Sequence, residues 1–577
     1  MRETQFESAG DRLERALNDM NLAQRRQRAG LLAIAALAFL VCLFGHLGAL
    51  GLVGPDEPRY VWIARAMAET GDWVTPRLYG APWFEKPVLY YWAAAIGFDL
   101  HLPAEWAARL PSAIAALAAA LAIGRLGWKH YDNEQAFELS LALFAPLIFS
   151  TSVAGIGFAR SASPDMLFSA SITLAMASAA ALLRRSGALR ANARDVGFAG
   201  SEKLPIVLFG LFLGLGVLAK GPAAVALASG AIAIWALTTK QWRAAFRLAH
   251  PLGIAVFCVI ALPWYVLCAL RNPDFLRVFL FEHNVERYLT PMFQHRQPLW
   301  FFGPIVLVGL VPWTGLLWPV AREGFRLWRE KTWTDSPGFF FACWAVFPVA
   351  FFSFSQSKLP GYILPAIPPL ALICSLAMGR AFAKHRATPA TLSAIIAVTC
   401  LCVAIVALRF AQRFDWAALA AYQETASVSV LGYAALGVTA LIAAGIIFAG
   451  YRQSLGVAAG LCALWMILAV EAASARFLPL LDYFYSARPH ALFLHNDRRP
   501  DRIFTYRLRR NWIYGLAFYF RRELPEWSPS DNRPALVLTT AEGAKEIGKL
   551  GRIGGSLDEH YAGIMYVPVT AAPVLRQ

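Results

Sequence analysis

This chain of 577 residues is written largely in apolar runs, most of them roughly 17–25 residues long, the length a helix needs to cross the hydrocarbon core of a bilayer. Such runs admit few folds. With no water in hydrocarbon, each backbone N–H and C=O must be satisfied within the segment, which leaves the helix as the spanning element for stretches this long. Only 16% of residues are charged and 58% are hydrophobic, against about 25% charged in an ordinary soluble domain. The runs predict about 13 spans, near 30–53, 104–124, 135–153, 164–183, 205–219, 222–238, 250–270, 299–320, 338–356, 361–378, 390–408, 428–450 and 455–472. The predicted class is an all-α polytopic membrane protein.

The net charge of +16 would suggest nucleic acid in a soluble protein. In a polytopic one it belongs first to cytoplasmic loops and anionic headgroups, and no nucleic-acid-binding module is visible. Counting spans from the Arg-rich N-terminus, the loops holding Arg184 and Arg185, Lys240 with Arg243 and Arg247, Arg322 to Lys331, and Arg380 to Arg386 all fall on one side. That side is expected to be cytoplasmic, with the C-terminus outside. Met1 to Arg28 lacks the apolar core of a signal peptide and reads as an amphipathic surface helix. The eight cysteines lie in or beside apolar runs and predict neither a zinc site nor a disulfide framework.

Two regions follow. Residues 1–474 form the transmembrane part, with external loops at 54–103 and 271–298. Residues 475–577 are less apolar and carry strand-like runs at 502–508, 535–540 and 564–569 and a helical stretch near 511–522, which predicts a small external α/β domain. No internal repeat is visible, which argues against transporter folds built from inverted halves.

Polar groups mass at the external span ends. The first loop holds Asp56, Glu57, Arg59 and Tyr60, then Glu85, Lys86 and Tyr90; Asp165 opens the fourth span; Lys220 stands between two spans; Arg271 begins the second long loop, which continues through His283, Arg287 and His295; Lys358 and Tyr362 precede the tenth span. Ionisable groups at such boundaries are costly unless used, paired or solvated, so they are read as a functional site. Lys86, Arg271, Lys220, Arg287 and Lys358 could grip phosphate through charge-assisted hydrogen bonds. Asp56, Glu57, Glu85 and Asp165 could bind sugar hydroxyls, an amine or a divalent metal, or act as a base. His283 and His295 with Glu282 could ligate a metal, but without tight ligand spacing they are read as hydrogen-bonding loop residues, and the metal content is left open.

Asp56-Glu57 after the first span, Glu85-Lys86-Pro87, Asp165, Leu218-Ala-Lys-Gly-Pro222 and Ser357-Lys-Leu-Pro-Gly-Tyr362, in that order, resemble the GT-C integral-membrane glycosyltransferases. Among these the match is to the family that transfers 4-amino-4-deoxy-L-arabinose to lipid A (ArnT), which is related to the protein O-mannosyltransferases. The resemblance implies a GT-C type fold in the bacterial inner membrane with a periplasmic active site. It implies inverting transfer from an undecaprenyl-phosphate-linked aminosugar donor to a lipid A phosphate acceptor, giving resistance to polymyxin and other cationic peptides. A related transferase with another sugar or a protein acceptor is the alternative, and a transporter or flippase a more distant one. By position the resemblance makes Asp56, Asp165 and Glu57 the catalytic acids. Lys86, Arg271, Arg59 and Lys220 become carrier-phosphate ligands, and Glu85, Tyr60 and Tyr90 line the sugar pocket. Lys358, Tyr362, His283 and Arg287 are further candidates.

Overall fold

A computed structural model describes residues 22–129, 144–189, 202–286, 288, 297–384, 387–413, 425–496, 502–531, 533–555, 558–559 and 563–570. Among them are eight helices long and apolar enough to cross a membrane, for instance Ala104–Leu126, Pro164–Arg185, Lys203–Lys220 and Pro251–Arg271. A pair of helices, Leu299–Gly309 and Trp313–Arg329, makes a ninth candidate bent by 111°, and Ala29–Phe44, Ala223–Thr238 and Gly338–Ser353 are shorter apolar helices. Each predicted run coincides with one of these except that at 135–153, of which only residues 144–153 are described. The predicted surface helix at 1–28 lies outside the described residues up to residue 21.

Two expectations are corrected. The run at 299–320 is not one straight helix. It breaks at Pro312, which has no N–H to continue the ladder. The run at 30–53 stays helical only to Phe44, ending in a π-helical turn over Phe39–Phe44. Beyond it, Gly45, Gly48, Gly51 and Gly54 recur every third residue, and glycine is the weakest helix former after proline.

That irregular stretch needs other partners for its carbonyls, and three arginines supply them. Arg109 donates to the carbonyls of Leu47 (2.7 Å), Leu50 (2.5 Å) and Gly51 (2.8 Å). Arg160 donates to Gly45 (2.6 Å), and Arg488 to Gly48 (2.9 Å) and Ala49 (3.2 Å). The N–H groups are used as well: Gly51 donates to Asp482 (2.7 Å) and Leu52 to the Tyr519 hydroxyl (2.9 Å). A Cβ on Gly51 would sit 2.1 Å from Ser486 Oγ and 2.8 Å from both Asp482 Oδ1 and Tyr519 Oη. Gly51→Ala is therefore expected to cost about 1–3 kcal/mol, as overpacking does, read as a lowered unfolding temperature of the detergent-solubilised protein.

The C-terminal segment builds a four-stranded sheet. Ile503–Tyr506 pairs in parallel with Ala535–Thr540, Ile564–Val569 lies antiparallel to the latter, and Asp558–Glu559 forms the far edge. The parallel pair needs a crossover, which the Arg510–Phe520 helix provides. This helix also docks the segment on the first loop. Arg65, in the Asp56–Thr70 helix, donates to the Phe518 carbonyl (2.9 Å) and its guanidinium lies 3.7 Å from the centre of the Phe518 ring.

Candidate active site at one end of the bundle

Asp56 and Glu57 open a helix that runs to Thr70, with Pro58 in its first turn. Acids favour a helix N-terminus and proline tolerates the first turn, where N–H groups lack partners anyway. The helix stops at Gly71, whose φ of +69° is the left-handed cap conformation. The same logic places Asp165 and Lys220. Asp165 lies in the first turn of Pro164–Arg185, and Lys220 in the last turn of Lys203–Lys220. These two helices are consecutive and pack against each other, so both charges come to the same end of the bundle and form an ion pair. Ser112 donates to the Ser163 carbonyl (3.2 Å), bringing the Ala104–Lys129 helix to that end too.

The charges alternate in sign. Arg59 bridges Asp56 (2.5 Å) and Glu85 (2.8 Å), and Glu85 also accepts from Lys86 (3.1 Å). The Lys220 ammonium of the second pair lies 4.9 Å from the Tyr362 ring centre and 5.6 Å from that of Phe168. A cavity of about 360 Å³ joins the two pairs, with Glu85 and Lys86 on one wall and Lys220, Tyr362 and His283 on others. Its remaining surface is mainly apolar, including Phe279, Phe351 and Phe352. Burial disfavours the Arg59 charge, but the carboxylates of Glu85 and Asp56 and the flanking tyrosines outweigh it and hold the pKa above the ordinary guanidinium value. Asp72, in the same loop, is opposed by desolvation. N–H groups of Thr75 and Val74 and the nearby Arg77 and Arg271 nevertheless keep its carboxyl below the usual range.

The predicted residues separate into groups. Asp56 keeps 54% of its side chain exposed, so it can meet a substrate. Glu57 cannot: one oxygen accepts from Arg109 (2.9 Å) and the Val53 N–H (3.0 Å), the other from the Ala162 N–H (2.8 Å), and the residue is buried. Tyr60 and Tyr90 are buried, and the Tyr90 hydroxyl is committed to the Ala108 carbonyl (2.8 Å). The neighbouring Tyr91 hydroxyl has no hydrogen-bond partner among the described residues, and its ring packs against Tyr60. Lys358 does not itself line the cavity; it donates to the carbonyls of Gln297 (2.9 Å), from another segment, and of Ser355 (2.6 Å), which does line it. Arg271 does not line it either; it pairs with Asp72 (3.2 Å) and is 57% exposed. Arg287 and His295 lie outside the described residues. Among the described residues no group of three or more His, Cys, Asp or Glu side chains assembles as a metal site. Sequence reasoning missed Arg109 and Tyr519, which meet the first loop from 52 and 467 positions away. Their only sequence signal is an ordinary arginine at a span end and an aromatic in a basic tail.

The arrangement, a bundle of apolar helices long enough to cross a bilayer with charged loops massed at one end, is that of an integral membrane protein. The sequence comparisons agree. The family description "Dolichyl-phosphate-mannose-protein mannosyltransferase" matches residues 31–279. The undecaprenyl phosphate-alpha-4-amino-4-deoxy-L-arabinose arabinosyl transferase of Edwardsiella ictaluri is 34% identical over 343 residues, 59% of this chain and 58% of that one. The Pseudomonas aeruginosa protein of the same name is 33% identical over 358 residues, 61% of this chain and 60% of that one. The aligned part thus spans somewhat under two thirds of these curated relatives. The crystal structure of ArnT from Cupriavidus metallidurans bound to undecaprenyl phosphate shares the fold, with a TM-score of 0.71 over 93% of this chain and 97% of that one at 22% identity. Over the aligned part the chain is similar to these arabinosyl transferases, and as a whole it shares the ArnT fold.

Proposed function

We propose that this protein transfers 4-amino-4-deoxy-L-arabinose from undecaprenyl phosphate to a phosphate of lipid A, with inversion, at the periplasmic face of the bacterial inner membrane. The product lowers the surface's attraction for polymyxin and other cationic peptides. The observation that carries this reading is the cavity into which Lys86 and Lys220 face beside Glu85, with apolar walls running away from them. Cations stabilise the charge that develops on a departing phosphate, and apolar walls suit a polyprenyl chain. The whole reading includes about 13 spans and a periplasmic α/β unit at 475–577.

Lys86 takes the carrier phosphate with Lys220, and Arg271, paired with Asp72 outside the cavity, meets the carrier only on leaving that pair. A lipid A phosphate is already anionic and needs no general base to attack. Asp56 therefore orients the sugar, its carboxylate facing the amine. Asp165 holds Lys220 in place. Arg59 fixes Asp56 and Glu85 at one spacing, and Glu57 serves the fold of the loop rather than the reaction.

The match to a mannosyltransferase description over residues 31–279 favours a second reading, in which the acceptor is a protein hydroxyl and Asp56 is its base. Purified protein incubated with the aminoarabinose carrier and lipid A separates the two. An added aminopentose mass on lipid A supports the first. Transfer only to a peptide serine or threonine, or solute transport without any transfer, rejects it. Arg271→Ala is expected to raise KM for the carrier about tenfold with kcat nearly unchanged, the pattern of lost uniform binding. An unchanged KM would remove Arg271 from the phosphate site.

A further inference from the structure

A second cavity, of about 590 Å³, lies among the Lys203–Lys220, Ala223–Thr238 and Pro251–Arg271 helices. It is separate from the candidate active site. The two cavities share no lining residue, although both border the start of the Ala223–Thr238 helix; this helix is 16 residues long, so the second cavity's far end, beside Leu237, lies about 20 Å from Lys220 at 1.5 Å per residue. The cavity is lined almost wholly by apolar side chains. Its walls are residues such as Phe209, Leu213, Ile232 and Phe257, and its one hydroxyl, that of Ser229, is spent on the Val225 carbonyl (2.6 Å). The back is set by glycine: a Cβ on Gly210 would lie 2.1 Å from the Gly253 carbonyl oxygen, so two helices touch backbone to backbone while the third stands off.

The floor is the short turn Trp242–Ala249, which presents Trp242 and Phe246 to the cavity edge, both largely exposed. The same turn carries Arg243 and Arg247, Lys240 stands two residues before it, and residues 239–250 contain no acid. Arg247 pairs with Glu202 (3.1 Å), while Arg243 lies over the Trp242 ring at 5.1 Å. An apolar slot that ends under an aromatic and a group of cations matches one chemistry, an acyl chain attached to an anionic headgroup. We propose that this slot is a specific site for an anionic phospholipid of the leaflet opposite the candidate active site, with a chain against Leu213, Ser229 and Ala233 and its phosphate held by Lys240 and Arg243.

The test uses the full-length protein in vesicles of phosphatidylethanolamine with phosphatidylglycerol, followed by detergent extraction and native mass spectrometry of retained lipid. Wild type is expected to retain phosphatidylglycerol in preference to phosphatidylethanolamine. Lys240→Gln with Arg243→Gln should weaken that preference about fivefold per cation removed, the scale of basic residues at an anionic membrane surface. Ala233→Phe, which fills the slot, should abolish retention, and the milder Ala233→Leu should halve it or more if the larger variant fails to fold. Equal retention of the two lipids by wild type, or unaltered retention in both variants, overturns the proposal. So does loss of a polyprenyl phosphate rather than a phospholipid when the slot is filled.

Discussion

Lys86→Ala is expected to lower aminosugar transfer by about two to three orders of magnitude, the size of effect seen when one preorganised donor to a developing anion is removed. The reason is geometric. Lys220, the other cation in the cavity, is engaged by Asp165. Among the described residues Lys86 pairs with Glu85 at 3.1 Å, and an ammonium has three donors, so two of them are left by this pairing for a phosphate. Glu85 is in turn held by Arg59 (2.8 Å). Asp56→Asn should cut turnover comparably, because the amide cannot face a cationic amine as the carboxylate does. Lys358→Ala is the milder comparison: its ammonium does not line the cavity and is spent on the carbonyls of Gln297 and of Ser355, a residue of the cavity wall, so turnover should fall by no more than about tenfold. Rates are read by mass spectrometry of lipid A, with membrane insertion checked by fractionation. Full turnover in Lys86→Ala would move the phosphate site elsewhere.

Much of the candidate site, as a cluster of charges, could be read from the chain because charge in an apolar sequence stands out. Asp56, Lys86, Asp165 and Lys220 each interrupt or bound a run, and helix direction alone puts Asp165 and Lys220 at the same level. The tail strands were legible for a similar reason: Ala535–Thr540 and Ile564–Val569 are short β-branched runs where the long spans stop. What stayed hidden depends on side chains meeting across sequence. Tyr90 and Tyr91 are adjacent and alike, and only the packing tells that the first is tied to Ala108 while the second is not. Glu57 looks as catalytic as Asp56 until Arg109 is seen to cover it. The break at Phe44 was written in the glycines, but an apolar run long enough to span conceals where its helix stops.

Glu57 and Arg109 provide the largest expected effect on stability. Both are buried, 2.9 Å apart, and each is further bound to backbone: Glu57 to two N–H groups, Arg109 to three carbonyls of residues 47–51. Removing one member leaves the other's charge without its counter-ion, which costs about 3–5 kcal/mol in buried pairs. Glu57→Gln is the sharper probe, since it keeps the shape and one acceptor oxygen while deleting the charge that Arg109 needs. It should lower the unfolding temperature and also loosen the segment that delivers Asp56, so activity falls with stability. Arg109→Met should be at least as harmful, because three carbonyls lose their donor at the level where the chain is no longer helical. Combining the two should recover part of the loss, as neither charge is then stranded. A purely catalytic Glu57 predicts otherwise: activity lost, unfolding temperature unchanged, and no recovery of stability in the double variant. Thermal unfolding of the three variants beside wild type therefore decides whether this acid acts on the substrate or on the chain.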